Sequence, residues 1–177
     1  MLFRSLNNSM AFTPSTLDYT NPALFKLVFD RLPNVEYTAH TLSLPGINLP
    51  EIRVPSPTLN YPIYGDKLNF DPFNISFLVQ ADLSNYLEIQ SWMYGLGKPE
   101  STDQYAAYKA ANNNNLLSDA TLLVLTNKYN PVQMVKFYDC WPTSLGTLNY
   151  DSQITAVNPL TVDASFMFSY FTVEAIS

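Results

Sequence analysis

His40 and Cys140 are the only histidine and the only cysteine of this chain, and with fifteen Asp and Glu they hold most of its candidate chemistry. A cysteine nucleophile needs a base within hydrogen-bond reach to draw off its proton. The one imidazole lies far upstream, beside Thr38 and Thr41, and reads as a strand-face histidine without a catalytic task. Cys140, between Asp139 and Trp141, reads as a buried thiol at a strand end. One Cys and one His cannot supply the four ligands of a structural zinc site. The acidic residues are spread singly, so a carboxylate pair for acid–base work forms only if folding brings two together. Neither a phosphate-cradling glycine loop nor a nucleophile elbow is present. The expectation is therefore no enzyme, with no catalytic residue, cofactor or metal. A small hydrolase requires the acids to converge, and substituting such a pair would then abolish its activity.

Composition points to covered surface. Apolar residues make up 47% of the 177 positions, aromatic residues 14% and charged residues only 14%. A surface short of charge is normally one that partners cover. Net charge is −6 with no basic run, which argues against sequence-specific nucleic-acid binding, since phosphate contacts need clustered cations. A single cysteine makes no internal disulfide, and nothing indicates an oxidising compartment. No apolar run approaches the length of a membrane anchor. The opening MLFRSLNNSMAF is too polar for a signal peptide and reads as an arm.

One helix is legible, over about 82–94. Asp82 can cap its first amides, and Gly95 and Gly97 offer left-handed positions to end it. Leu83, Tyr86, Leu87, Ile89, Met93 and Tyr94 share its apolar face, with Trp92 off the centre and placed to meet a second surface. Nearly everything else alternates as strand. Leu24–Asp30 and Val35–Leu44 read as a hairpin turned at Pro33-Asn34, and Leu44-Pro45-Gly46 as a type II turn. The Pro-rich segment Asn48–Pro62 reads as an edge strand or extended arm, because proline removes ladder donors. Lys67–Phe70 and Phe73–Val79 form a strand interrupted at Asp71-Pro72, and 98–119 a long surface loop with one helical turn. Thr121–Thr126 is continuously apolar, which suggests burial on both faces. It pairs back with Val132–Trp141, whose apolar phase slips between Met134 and Val135 as at a bulge. Leu148–Asp151 is a short strand and Leu160–Val173 a long one. The domain reading is an N-terminal arm at 1–22 and a single β domain at 23–177, an antiparallel barrel or sandwich with one flanking helix. Slow amide exchange is expected in Phe73–Val79, Thr121–Thr126 and Phe166–Tyr170.

A polar arm leads to Asn21-Pro22-Ala23-Leu24-Phe25, then Leu42-Ser43-Leu44-Pro45-Gly46, then Tyr64-Gly65-Asp66-Lys67-Leu68 before a long strand, and a helix ending Trp92-Met93. That order of pieces resembles the tail tube proteins of contractile-tailed bacteriophages. Cys140-Trp141-Pro142-Thr143-Ser144-Leu145-Gly146, followed by Leu148-Asn149-Tyr150-Asp151, resembles that family's aromatic-Pro-Thr-x-x-Gly corner. The similarity runs over most of 21–174. It implies structural roles for Leu44, Pro45, Gly46, Trp92, Trp141, Pro142 and Gly146. It also implies hexameric rings stacked into a tube inside a contractile sheath, through which DNA passes. Tube-initiator or baseplate proteins and tail-completion proteins share that fold, as do type VI needle-tube proteins. The implied location is the virion tail, assembled in the host cytoplasm. The implied partners are sheath and baseplate or terminator proteins, with the N-terminal arm and 48–62 reaching neighbouring subunits. Segments 48–62 and 98–119 match no pattern of the family. A carbohydrate-binding β module, with exposed Tyr and Trp on loops, is the competing reading.

A tube that passes DNA must bind it weakly, which favours an acidic wall over a basic one. Candidate lumen-facing acids, on the solvent sides of strands, are Asp30, Glu36, Asp139 and Asp163. An ordinary solubility charge explains −6 equally well.

Overall fold

The structure is a computed structural model that describes residues 19–97, 102–112, 115–153 and 158–176. Most of the arm read at 1–22 lies outside the described residues.

Seven strands build the body. They are β1 (Phe25–Phe29), β2 (Ala39–Ser43), β7 (Phe73–Leu78), β8 (Ser118–Leu125), β9 (Pro131–Leu145), β10 (Thr161–Met167) and β11 (Tyr170–Ala175). Four short strands, β3 (Ile47–Asn48), β4 (Glu51–Val54), β5 (Tyr61–Tyr64) and β6 (Asn69–Phe70), pair only among themselves. The helices are α1 (Pro33–Thr38), α2 (Ser84–Gly97) and α3 (Thr102–Ala111).

The 15-residue β9 belongs to two sheets. Its first part lies between β8 and β11, with Phe137 opposite both Ala120 and Phe171. Its last part pairs with β10, Trp141 opposite Met167 and Leu145 opposite Ala164. Between them Asp139 adopts φ 56, and the register against β8 shifts between Ser118 and Ala120. One residue out of step bends the strand and raises its twist, which turns β9 from the sheet β1-β8-β9-β11 into the sheet β9-β10-β7-β2. All of this pairing is antiparallel. β1 and β2 remain edges, so the result is sandwich-like and not a closed barrel.

The core lies between the two sheets. Phe73 from β7 stacks on Phe137 from β9 with centroids 4.8 Å apart, and Phe29 from β1 meets Phe166 from β10 at 5.1 Å. α2 lays Ile89 and Trp92 into the same cluster, and α1 adds Val35. Such aromatic contacts are each worth about 1 kcal/mol beyond the area they bury.

Several expectations give way to other physics. Residues 33–38 are helix, because Pro33 sits in the first turn, where its missing amide costs nothing. β2 therefore begins only at Ala39, and instead of a hairpin β1 pairs with β8 and β2 with β7. The expected loop 98–119 contains α3, an Ala-rich helix with Asp103 in its first turn and Lys109 in its last, charges that suit the helix dipole. α2 starts after Asp82, whose carboxylate takes the Ser84 amide at 3.2 Å while Leu83 adopts φ 57. No described glycine has positive φ, so Gly95 and Gly97 do not end α2 left-handed and Gly46 makes no type II turn. Gly95 is needed for close approach instead: a Cβ there would lie 2.4 Å from the Tyr108 ring. β8 alternates rather than being buried on both faces, with Ala120 and Leu122 inside and Thr121 and Leu123 half-exposed. The register against β8 slips at Asp139 and again at Val132, where Val124 faces Gln133 and Leu125 faces Pro131, and not at Met134–Val135. Residues 148–151 form no strand. The long C-terminal strand breaks at Phe168-Ser169, sending β10 and β11 to different sheets.

Asn85, fully buried on α2, ties three elements together. Its amide donates to the Leu78 carbonyl at 2.7 Å and to Thr38 Oγ1 at 3.0 Å, and its oxygen accepts the Gln80 amide at 3.3 Å. Asn85→Leu strands these groups without partners and is expected to cost about 3 kcal/mol. For a chain of this size that lowers Tm by roughly 6–12 °C, readable by calorimetry.

Candidate interaction surfaces

The lone histidine and the lone cysteine lie apart. His40 is exposed on β2 and Cys140 is buried in β9, with β10 and β7 lying between those strands. Burial, reinforced by Asp119 and Asp139, pushes the Cys140 thiol up to about 12, far from a reactive thiolate. No group of three or more metal-ligating side chains occurs among the described residues.

The four candidate lumen acids occupy three separate places. Asp30 and Asp139, joined by Asp119 and Arg31, line a polar cavity of about 460 Å³ beside the β9 bend. Asp119 organises it by accepting the Asp139 amide at 3.1 Å. Glu36 lies on α1, where it accepts the Phe29 amide at 3.4 Å and faces Lys26 at 3.9 Å. Asp163 sits on the outer face of the second sheet and accepts from Ser76.

That outer face has a distinct composition. Strand register aligns Ser43, Asn74, Ser165 and Ser144 in one row across β2, β7, β10 and β9, and Thr41, Ser76 and Asp163 in the next. The polar groups satisfy one another: Ser165 donates to Asn74 Oδ1 at 2.6 Å, and Thr143 donates to the Ser165 carbonyl at 3.0 Å. No Lys or Arg occurs on β2, β7, β10 or the Trp141–Leu145 part of β9. These two rows are hydrophilic, small in side chain and free of lysine and arginine.

The Pro-rich segment forms a hairpin of β4 and β5, in register from Glu51 opposite Tyr64 to Val54 opposite Tyr61. Ile52, Val54, Tyr61 and Ile63 share one face by period-two alternation, and each remains about half exposed. The other face carries Arg53 paired with Glu51 at 2.7 Å. A two-stranded ribbon is marginal alone in water, and one with a bare apolar face lacks a covering surface. The arm expected at 48–62 is thus a projecting hairpin.

The family-motif residues divide in placement. Pro45 and Pro142 are buried, Pro142 opposite Phe166 in the β9–β10 ladder, and Gly146 donates its amide to the Asp163 carbonyl at 2.7 Å. Leu44 and Gly46 are exposed and Trp141 is half-buried. Trp92 is the anchor of a cluster that sequence reading did not find. Its indole donates to the Leu116 carbonyl at 2.9 Å, and Arg31 lies over its ring at 5.2 Å. Arg31 also donates to Tyr108 Oη at 2.7 Å and to the Asn115 carbonyl at 2.6 Å. Burial raises the Tyr108 pKa, with the Arg31 charge opposing it. Together these contacts hold α3 and residues 115–117 on the body. Arg31→Ala is expected to cost about 2 kcal/mol and to raise amide exchange selectively in α3, leaving β7 protected.

No protein-family model matches the chain. It is 24% identical over 146 residues to the tail tube terminator protein of Enterobacteria phage T4, covering 77% of this chain and 80% of that one. Among solved structures, it is similar in fold to the tube terminating cap of the anti-feeding prophage, at TM-score 0.60 and 14% identity over 96% of this chain and 99% of that one. It is also similar to a chain of the PVC sheath/tube terminator of an extracellular contractile injection system, at TM-score 0.58 and 14% identity over 90% and 100%.

Proposed function

We propose, from the premise that this chain is a relative of the contractile-tail proteins in sequence and fold, that it is a non-enzymatic structural protein associated with a tail tube. More finely, it forms a hexameric ring seated at the end of the tube, the tail-completion position, through which DNA passes. Its partners are the tube and the sheath, its location is the tail, and assembly takes place in the host cytoplasm. The observation that carries the terminal position is the sequence similarity to a tail tube terminator across most of both chains. The β4–β5 hairpin supports assembly, because its bare apolar face needs a neighbouring subunit. The outer face of β2, β7, β10 and β9 suits the channel wall, because its strands offer phosphates no lysine or arginine to pair with.

Negative-stain microscopy of the purified protein, alone and mixed with assembled tail tubes, tests this reading. Six-fold rings that bind one end of the tubes are the expected outcome. Spontaneous growth of long tubes from this chain alone would make it a tube-body subunit. A monomer that binds glycans and ignores tubes would favour a carbohydrate-binding module and overturn the proposal.

A further inference from the structure

We infer that Leu17 seats on the bare core-side face of β11 in its own chain, so that residues 14–18 close the open end of the first sheet. The inference does not depend on the ring reading. β11 is an edge of the sheet β1-β8-β9-β11, and its alternation turns Phe171, Val173 and Ala175 to the side of the core. Phe171 packs against the core cluster. Val173 lies directly opposite Val135, which puts both side chains on one face. Val135 is 3% exposed, yet Val173 is 59% exposed, and Ala175, opposite Gln133, is exposed as well. Core-facing apolar residues left in water mark a place that lacks its cover.

The chain's own leading segment heads for that place. Residues 19–21 wall an apolar groove of about 210 Å³ together with Val124 and Leu125 near the end of β8 and Val132 and Gln133 at the start of β9. Asn21 is held there, since its side-chain amide donates to Asn127 Oδ1 at 3.5 Å and its own Oδ1 accepts the Ala23 amide at 3.0 Å. Traced backward from β1, the chain thus crosses the end of β8 toward β9, and the next strand in the sheet is β11. Neighbouring strands lie about 4.8 Å apart and an extended chain advances about 3.3 Å per residue, so the two residues from Tyr19 to Leu17 span one strand spacing. The residue types agree. Leu17 alternates with Thr16 and Asp18, the pattern of an extended segment with one covered face. Pro14 ahead of them donates no amide, which suits a segment lying across strand ends rather than pairing with them. A tether of two residues gives Leu17 an effective concentration at β11 that a separate molecule does not match, which favours the chain's own segment over a neighbour's.

The test uses the full-length chain carrying Leu17→Cys and Ala175→Cys together, treated with a short bifunctional maleimide. Cys140 is buried with its thiol held protonated, so it stays silent. The expected result is an intrachain link whose yield does not change on dilution. No link is expected when Leu17→Cys is combined with Tyr37→Cys, an exposed position on α1, which follows the other end of β1. Equal linking to both positions would mean an unseated segment and overturns the inference. A link found only between differently tagged copies gives the place to a neighbour and also overturns it. In the otherwise unsubstituted chain, Leu17→Asp is expected to speed amide exchange in β11 about tenfold while leaving β7 unchanged. Exchange in β11 that stays as slow as before overturns the inference by a second route. A sample that remains monomeric by light scattering yet gives the intrachain link supports this inference and overturns the ring reading alone.

Discussion

Ile52→Glu combined with Ile63→Glu is expected to abolish the proposed ring while leaving a folded monomer with an unchanged Tm. The two residues face each other across β4–β5 and form the centre of the apolar face with Val54 and Tyr61. None of the four belongs to the buried core, and β4 and β5 pair with no other strand, so the body does not depend on them. In the free subunit the new carboxylates stay in water, and their mutual repulsion across β4–β5 loosens only the ribbon, not the core. In the proposed ring they would sit unpaired in an apolar contact, at roughly 2–3 kcal/mol each. About 5 kcal/mol per contact weakens each interface by between 10³ and 10⁴, and every contact in a ring suffers the same loss. Sedimentation at micromolar concentration, with circular dichroism on the same samples, reads both halves of the expectation. Rings that form as in the unsubstituted protein would remove the hairpin from the assembly.

Much of the body was legible in the sequence because its signals are local. Phe73 to Phe77 alternates with Asn74 and Ser76, and the strand appears as read, one face in the core and one in water. The α2 pattern announced a helix but misplaced its buried face: Leu87 and Tyr94 of the expected stripe are exposed, and the helix buries along Asn85, Ile89, Trp92 and Gly95. Non-local facts were lost. Nothing near Phe25 says that its partner is Val124 and not a residue of the next segment, since pairing is decided by what the folded core can cover. Pro33 misled because the residue that turns a hairpin also opens a helix, and only the burial of Val35 decides between them. The Asn-rich stretch around α3 looked like a loop because its helix is held by Arg31 and Trp92, residues far away in sequence. Of the surface features, the Pro-rich arm was legible from proline's missing donors. The candidate acids were not, because solvent exposure along a strand says nothing about which sheet the strand joins. Asp30 and Asp163 both face outward, yet one lines the cavity beside the β9 bend and the other lies on the outer face of the second sheet.

The second sheet carries the other large expected effect. If its outer face lines the channel of the proposed ring, Ser43→Lys with Asp163→Lys converts a wall that lets a polyanion slide into one that holds it. Both positions are exposed, on β2 and β10, so the lysines reach the opening without entering the core. Each protomer gains three units of positive charge, one from Ser43 and two from reversing Asp163, and a ring multiplies this by its copy number. Six to ten phosphates neutralised by such a wall give a binding constant that falls by about 10³–10⁵ between 50 and 200 mM salt. The unsubstituted ring, with no Lys or Arg on these strands, is expected to bind duplex DNA weakly with a shallow salt slope. Anisotropy of a labelled short duplex, titrated with assembled rings at several salt concentrations, separates the two. Val173→Lys with Glu174→Lys, both exposed on β11 of the opposite sheet, adds the same three charges and controls for bulk charge, since binding there does not depend on entering the channel. Equal salt slopes for the two lysine variants would mean that charge alone drives binding, and the second sheet would lose its claim to the channel. Tight, salt-sensitive binding by the unsubstituted ring would have the same consequence, because a duplex held that firmly does not slide.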